Sequence, residues 1–296
     1  MTRVTLISHS DTFYSTRRLL TAGADLGLAM SRVDPVRVLV ELHGDRPRLT
    51  EDGAEVPVPD VVLPRIGARL ARWSLGMLGA WIAAGAKSPV SPDAIARAAD
   101  KLATTERLAA HGLPVVPTIA IRERFHIPHA LAALGGESWV IKRRKGTGGD
   151  GVALVHDRRS AKSVLEALIR RGKTVLVQPY VAMERPRDLR VLVLGGEPTA
   201  AAWRHAAQDE FRANVHRGGR AAPAELGPEA RDLARRAAAA MDLPFCGVDL
   251  IETPQGLTLL EVNGSPGLEG IEAATGLDLA TPYVERWVQA ALASPG

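Results

Sequence analysis

The spacing of apolar and polar positions divides the chain into two stretches of different character. In the first, "RVTLIS" (3–8) reads as a buried strand and "STRRLLTAGADLGL" (15–28) has helical spacing. "PVRVLVEL" (35–42) reads as a second strand and "DVVLPRIG" (60–67) as a third. Strands alternating with a helix predict a small α/β unit with a parallel sheet. "KSPVSPDAI" (87–95) is a break, with Ser91 placed as an N-cap and Pro92 as a first helical residue. The helix predicted over 92–111 stops at Gly112, with Pro114 just beyond.

From "LPVVPTIAI" (113–121) onward the pattern turns to hairpins. "SWVIKRRKGTGGDGVALVH" (138–156) reads as strand, glycine-rich turn, strand. "TVLVQPYV" (174–181) is a strand, and "DLRVLVLGGEPTAAAWRHA" (188–206) a hairpin turning at Gly195–Gly196. "PEARDLARRAAAAMDL" (228–243) is a helix, "FCGVDLIETPQGLTLLEVN" (245–263) a further hairpin, and 281–293 a terminal helix. There is no internal repeat and no low-complexity segment.

Composition narrows the class. The 296 residues are enough for two compact domains or one large one, and 46% hydrophobic with 24% charged residues is a globular balance. The longest apolar stretch, "LGMLGAWIAAGA" (75–86), is too short and glycine-rich to span a bilayer. "MTRVTLISHSD" at the start lacks the features of a signal peptide, and Cys246, the one cysteine, cannot form an intrachain disulfide. The expected place is the reducing cytoplasm, with no membrane partner. A net charge of +4, dominated by arginine, suits nucleotides, carboxylates or acidic peptides, although an arginine-rich surface without function has the same composition. Aromatic residues are only 4% and none interleave with a basic run, so direct nucleic-acid binding is not expected.

The chemistry concentrates in "LLEVNGSPGLEGIE" (259–272). Glu261 and Asn263 share one face of a strand by its period of two. A three-residue loop centred on Gln255 sets Asp249 directly across from Glu261, whereas other loop lengths change the facing. Two facing carboxylates on an apolar hairpin repel unless a positive group lies between them. Mg²⁺ takes such hard oxygen ligands, and Asn263 adds a neutral carbonyl oxygen. A solvated edge strand is the plainer alternative. "KGTGGDG" (145–151) matches G-x-G-x-x-G, but a strand follows it rather than a helix, which excludes the dinucleotide fold. No P-loop motif is present. A strand–glycine loop–strand is a flap able to lay backbone N–H groups over phosphates, with Lys142 in reach of the same phosphates; a plain hairpin is the alternative.

Taken together, the glycine flap, "DLRVLVLGG", "FRANVHRGG", "CGVDLI" and "LEVNGSPGLEGIEAATGLDLA" resemble the ATP-grasp superfamily, and within it the RimK-type α-L-glutamate ligases. "SDTFYSTRRL", "LPRIG" and "AIARAADKL" carry the resemblance through the N-terminal half. It implies an α/β chain with α+β lobes: a pre-ATP-grasp α/β subdomain over 1–93, then an ATP-grasp domain over 94–296. The latter would divide into a small lobe with the flap (94–182) and a large lobe with the metal hairpin (183–296).

The resemblance also implies roles. Asp249, Glu261 and Asn263 would hold two Mg²⁺ or Mn²⁺ ions. Lys101, Lys142, Gly148 and Gly149 would meet ATP phosphates, Gln178, Pro179, Tyr180 and Val181 the adenine, and Asp188 the ribose. Arg212, Ala213 and Asn214 would close on the nucleotide, and Arg190 and Arg204 would face the transferred phosphate or acyl phosphate as catalytic residues. For the substrates, His9, Tyr14 and Ser15 follow the first strand, Arg65 and Arg217 supply positive charge, and Ser265 lies in the turn after the hairpin. The implied reaction joins a carboxylate to an amine through an acyl phosphate. L-glutamate would be the added amine, and the acceptor an acidic peptide or protein C-terminus, such as that of a ribosomal protein, or a growing glutamate chain; a homo-oligomer is compatible. Ligation of another amino acid or of a ribosomally made or carrier peptide stays open, as does a silent ATP-binding module. The sequence departs from the family pattern at Lys145, Pro179, Trp203, His205 and Gly264.

Overall fold

The first strand, β1 (Arg3–Ile7), buries Val4, Leu6 and Ile7 because it runs down the middle of a parallel sheet, flanked by β2 (Ala29–Val33) and β6 (Val61–Pro64). Helix α1 (Tyr14–Asp25) makes the crossover between β1 and β2. The computed structural model describes residues 1–42, 47–67, 71–146, 151–208, 210–212 and 218–293. The second strand of this sheet is not the apolar run expected at 35–42. That run supplies β3 (Val38–Glu41), which joins β4 (Arg48–Glu51) and β5 (Ala54–Glu55) in a separate antiparallel meander. The true partner, "AMSRV", alternates weakly because an edge strand buries only part of each face. Helix α2 (Ala71–Ala83) packs Met77, Leu78 and Trp81 into the core.

The helix expected over 92–111 is two helices, α3 (Pro92–Ala98) and α4 (Lys101–Ala110). Ser91 caps the first as expected. Asp100 breaks the run by capping the second, accepting from Leu102 and Ala103 N–H while Arg144 holds its carboxylate at 2.6 Å. The break turns the first residue of α4, Lys101, toward the centre of the molecule. Gly112, at a φ of 66°, ends α4 where the sequence placed the stop.

Two antiparallel sheets follow. The smaller has the order β7 (Ile119–Ile121), β10 (Val175–Pro179), β8 (Trp139–Arg143), β9 (Val152–Val155). Helices α5 (Ile127–Leu134) and α6 (Arg158–Arg170) cover one of its faces, and their apolar sides form a separate core with Trp139, Ile141, Val175 and Val177. The larger sheet has the order β13 (Arg220–Pro223), β12 (Glu197–His205), β11 (Arg187–Leu194), β14 (Phe245–Thr253), β15 (Gly256–Asn263). Helix α7 (Pro228–Ala240) buries an alanine-rich face against it. After α8 (Glu269–Thr275), the terminal helix α9 (Ala280–Ala293) returns to α1 and β6, so one continuous core runs from the parallel sheet into the large antiparallel one.

Asp249 does pair with Glu261, but not for the expected reason. The hairpin turn has two residues, Pro254 and Gln255, between paired Thr253 and Gly256. Such a turn alone would set Asp249 opposite Leu260. A bulge leaves Leu260 as an extra residue on β15 and advances the register by one, which returns Glu261 to Asp249.

Trp287 is the joint of the shared core. It is buried, contacts Phe245 (centroids 4.7 Å) and Tyr283 (5.9 Å), and donates its indole N–H to Val62 O in the parallel sheet at 3.1 Å. Replacing Trp287 with Ala should cost about 3–5 kcal/mol, as expected for a buried aromatic. Urea unfolding checks this; a loss under about 1 kcal/mol would show that α9 is not an essential part of the core.

Candidate active site

A cavity of about 760 Å³ lies between the two antiparallel sheets and the C-terminal end of the parallel one. Its floor is a row of charges across the large sheet. Asp188 and Arg190 share one face of β11; register pairs Asp188 with Arg204 on β12 and Arg190 with Asp249 on β14, and Asp249 in turn with Glu261. Alternation makes this possible: the intervening Leu189 and Val191 point into the core.

The row is bonded along its length. Arg204 donates to both Asp188 oxygens at 2.6 and 2.8 Å, and its Nη2 also reaches Asp249 Oδ2 at 2.9 Å. Arg190 donates to both Asp249 oxygens at 2.7 Å. Asn263 completes the network in the orientation that satisfies both its ends, accepting from Arg190 Nη2 at 2.9 Å and donating to Glu261 Oε1 at 3.2 Å. Asp188, Arg204 and Asp249 are all buried. Burial pushes the Asp249 carboxyl up, but Arg190 and Arg204 outweigh it and hold it below the usual range. Burial, together with repulsion from Asp249, raises Asp188 against the pull of Arg204. The guanidinium of Arg204, although desolvated, is held above its ordinary value by the two aspartates.

Two lysines approach from above. Lys142 projects from the face of β8 opposite the buried Trp139 and Ile141. Burial lowers its pKa to about 8, against the pull of Glu261. Lys101, at the start of α4, lies 3.9 Å from Glu261 Oε1 and donates to Gly146 O at 2.7 Å. Three carboxylates therefore meet four cations, which leaves the cavity ready for an anion. At the rim of the small sheet, Gln178 donates to Thr118 Oγ1, and the Tyr180 N–H is taken by Ser138 O. Pro179 has no N–H, so the Val181 N–H is the backbone donor left at this edge among the described residues. Arg212 lines the cavity while ion-paired to Glu210 at 2.6 Å. Gly148, Gly149, Ala213, Asn214 and Arg217 lie outside the described residues.

The expected substrate residues divide. His9 stands apart, exposed and bonded to Asp34 at 3.1 Å, and does not line the cavity. Tyr14, Ser15, Arg65 and Ser265 do line it. Each also holds the turn that follows Asn263 or the start of α8. Arg65 Nη2 donates to Pro266 O at 2.7 Å, Ser265 Oγ accepts from Ile66 N, Ser15 Oγ accepts from Leu268 N, and Tyr14 donates to Glu272 at 2.8 Å. Pro266 in turn packs on Gly247, across from Asn263: a Cβ at Gly247 would meet Pro266 Cβ at 3.0 Å and Arg190 Nε at 3.6 Å. Only glycine leaves room for this approach. Sequence reasoning missed Gly247, Leu260 and Glu272. A glycine inside the strand "FCGVDL" was the available signal for the first. Trp203 and His205 alternate away from Arg204; Trp203 lies under Arg187, 4.2 Å from guanidinium to ring, and neither lines the cavity.

The hard oxygen donors of Asp249, Glu261 and Asn263 converge on one wall, a set that fits Mg²⁺ or Mn²⁺. In the structure, Arg190 and Arg204 neutralise Asp249, and among the described residues no group of three or more His, Cys, Asp or Glu side chains is placed to hold a metal by itself. Any ion here would depend on the asparagine or on a ligand's own oxygens. No described helix is long and apolar enough to cross a membrane.

Comparison with known proteins gives a consistent result. The RimK-like ATP-grasp domain matches residues 98–287, and the RimK pre-ATP-grasp domain matches residues 2–95. A probable alpha-L-glutamate ligase 2 of Pseudoalteromonas atlantica is 36% identical over 283 residues, covering 96% of this chain and 94% of its own length. Among solved structures, a RimK domain ATP-grasp protein of Sphaerobacter thermophilus superposes with a TM-score of 0.72 at 22% identity, over 97% of this chain and 99% of that one. The ATP-grasp ligase PsnB, complexed with a phosphomimetic variant of its minimal precursor, Mg and ADP, superposes at 0.71 with 19% identity over 98% of both chains.

Arg204 is the cation on which buried Asp188 depends, and it shares Asp249 with Arg190. Replacing it with Gln should destabilise the protein by about 3–5 kcal/mol at neutral pH. Asp188, left without a cation while Asp249 keeps Arg190, would then bind a proton more readily folded than unfolded, so the deficit should shrink as pH falls toward 5. Denaturant unfolding across that range checks both; a deficit that grew in acid would contradict the buried-charge account.

Proposed function

The chain belongs to the RimK-like ATP-grasp family of ATP-dependent amino-acid and peptide ligases, and from this we propose that it adds L-glutamate to the C-terminal carboxylate of an acidic peptide or of a growing glutamate chain. The observation that carries the reading is the bonded row Asp188–Arg204–Asp249–Arg190 under a cavity that Lys142 enters from the small-sheet lobe and Lys101 from the start of α4. It is an arrangement for positioning and neutralising transferred phosphate, which is most of what such chemistry asks of a protein.

In this reading Lys142 and Lys101 bind the ATP phosphates, with the Gln178–Val181 rim against the purine and Asp188 near the ribose. Asp249, Glu261 and Asn263 would hold Mg²⁺ or Mn²⁺, which offsets the charge of the phosphates when bound. Arg190 and Arg204 face the oxygen that develops charge as the acceptor carboxylate takes the γ-phosphoryl group. The glutamate amine then attacks the acyl carbon, and the tetrahedral intermediate expels inorganic phosphate as the nitrogen gives up a proton, forming the new amide. Arg65, with Tyr14, Ser15 and Ser265, borders the arm of the cavity away from the purine rim, where the amino-acid substrate enters. The chain's buried cysteine has no part in this: burial pushes the Cys246 thiol up and leaves it inert. Mass spectrometry of products from ATP, Mg²⁺ and a panel of amino acids and peptides tests the assignment. A neutral or basic amino acid as best substrate would overturn the glutamate reading.

Two results follow for the site. Glu261→Gln keeps shape but removes one carboxylate, so ligation should fall at least about a hundredfold in kcat with little change in Tm. Near-normal turnover at saturating Mg²⁺ would remove Glu261 from the metal set. Lys142 should be protonated below about pH 8 and lose its charge above it. The KM for ATP should therefore rise from pH 8 to 9.5, approaching about tenfold per unit. Lys142→Met should raise KM at pH 7 and flatten that rise; an unchanged slope in the variant would place the titrating group elsewhere.

A further inference from the structure

We propose that the end of the small sheet from which the glycine loop springs is a docking surface for an acidic polypeptide, the glutamyl chain already made. The inference rests on the glutamate-ligase reading for the identity of that chain. The surface itself rests on geometry.

Register sets Ile121, Val175 and Arg143 side by side on β7, β10 and β8, about 5 Å apart from strand to strand. The residues that continue past this row are Arg122 after β7 and Lys173 before β10. Helix α6 ends at the same edge with Arg170 and Arg171, and the turn holding Arg124 packs against α6. All six cations are exposed, and among the described residues none of the six is in a salt bridge. The nearby basic residues that do have acidic partners lie outside the group: Arg144 is bound to Asp100, and Lys162 to Glu166. Glu123 lies among the cluster, and Glu166, one turn before Arg170 on α6, is the carboxylate paired with Lys162.

Unpaired cations gathered at one end of a sheet repel one another and favour a polyanion that spans them. The cluster lies on the lobe whose Lys142 enters the cavity, at the end of the strand that carries it. An extended chain advances about 3.3 Å per residue, so six glutamates, about 20 Å long, outreach the roughly 10 Å across β7, β10 and β8. Each turnover lengthens an anionic chain, and this edge gives the earlier residues a place to lie. A nucleic-acid strand fits less well. Single-strand binding uses successive aromatic platforms, whereas among the described residues this edge carries one exposed phenyl ring, Phe125, already tilted on His126 at 4.2 Å.

The test uses the whole protein and the variant R122Q/R124Q/R170Q/R171Q, all exposed positions outside the cavity. Binding of labelled hexaglutamate is read by fluorescence anisotropy at about 0.1 M salt, where the Debye length is ~10 Å. The variant should bind at least about tenfold more weakly, and the wild-type affinity should fall as salt rises. Ligation onto a single-glutamate acceptor should be unchanged, while KM for a hexaglutamyl acceptor rises. Equal hexaglutamate binding by both proteins, or no binding by the wild type, overturns the proposal. So does tighter wild-type binding of a single-stranded RNA hexamer than of hexaglutamate. If hexaglutamate binding weakens in the variant but the wild type ligates no glutamate, the docking surface stands and the proposed function fails.

Discussion

Asp249 is the point on which the large sheet turns. It is buried, and an isolated carboxylate there would cost several kcal/mol in lost hydration. Arg190 and Arg204 repay that loss only because both guanidiniums meet it in bonding geometry, and Arg204 does so while also holding Asp188. The row spans β12, β11, β14 and β15. A slip of one residue between any two of these strands would send one partner into the core and leave the other charged and alone. The charges that form the floor of the cavity thus also fix the register of the sheet that bears them.

The same row explains the division of labour between lobes. The parallel sheet and the large antiparallel sheet share one core, joined through Trp287 and α9, while the small sheet has its own core beneath α5 and α6. Lys142 belongs to the second body and Glu261 to the first. Contact between them across the cavity is therefore electrostatic rather than packed, and such contacts accept an anion between them without disrupting a core.

The N-terminal unit contributes by restraint. Arg65, Ile66 and Ser15 hold the turn after Asn263, and Pro266 transmits that hold to Gly247 and the side of Arg190. The hydroxyls and guanidinium that line this arm of the cavity are consequently the ones that fix its shape. A group whose hydrogen bonds are already made is oriented before a substrate arrives.

Much of this was legible in the chain. Glu261 and Asn263 had to share a face because a strand has a period of two, the alternation in "DLRVLVL" put Asp188 and Arg190 on one side, and Gly112 and Gly195–Gly196 marked a helix stop and a hairpin turn. These are local properties, set within a few residues by backbone geometry. What lay beyond the sequence depended on distant partners. The pairing of Asp249 with Glu261 was anticipated from a three-residue loop, yet a two-residue turn and the Leu260 bulge produce it. The second parallel strand was misplaced because "AMSRV" draws its identity from β1 beside it rather than from its own pattern. Asp100 breaks a helix that propensity would continue, since Arg144 and the cap of α4 claim its carboxylate. Likewise, the sequence could list arginines but not pair them: that Arg190 and Arg204 both close on Asp249 follows from strand order, a long-range outcome of burial. The sequence by itself determined which residues share a face; the tertiary structure decided which faces meet, because only the packed sheets bring charges many residues apart into bonding distance.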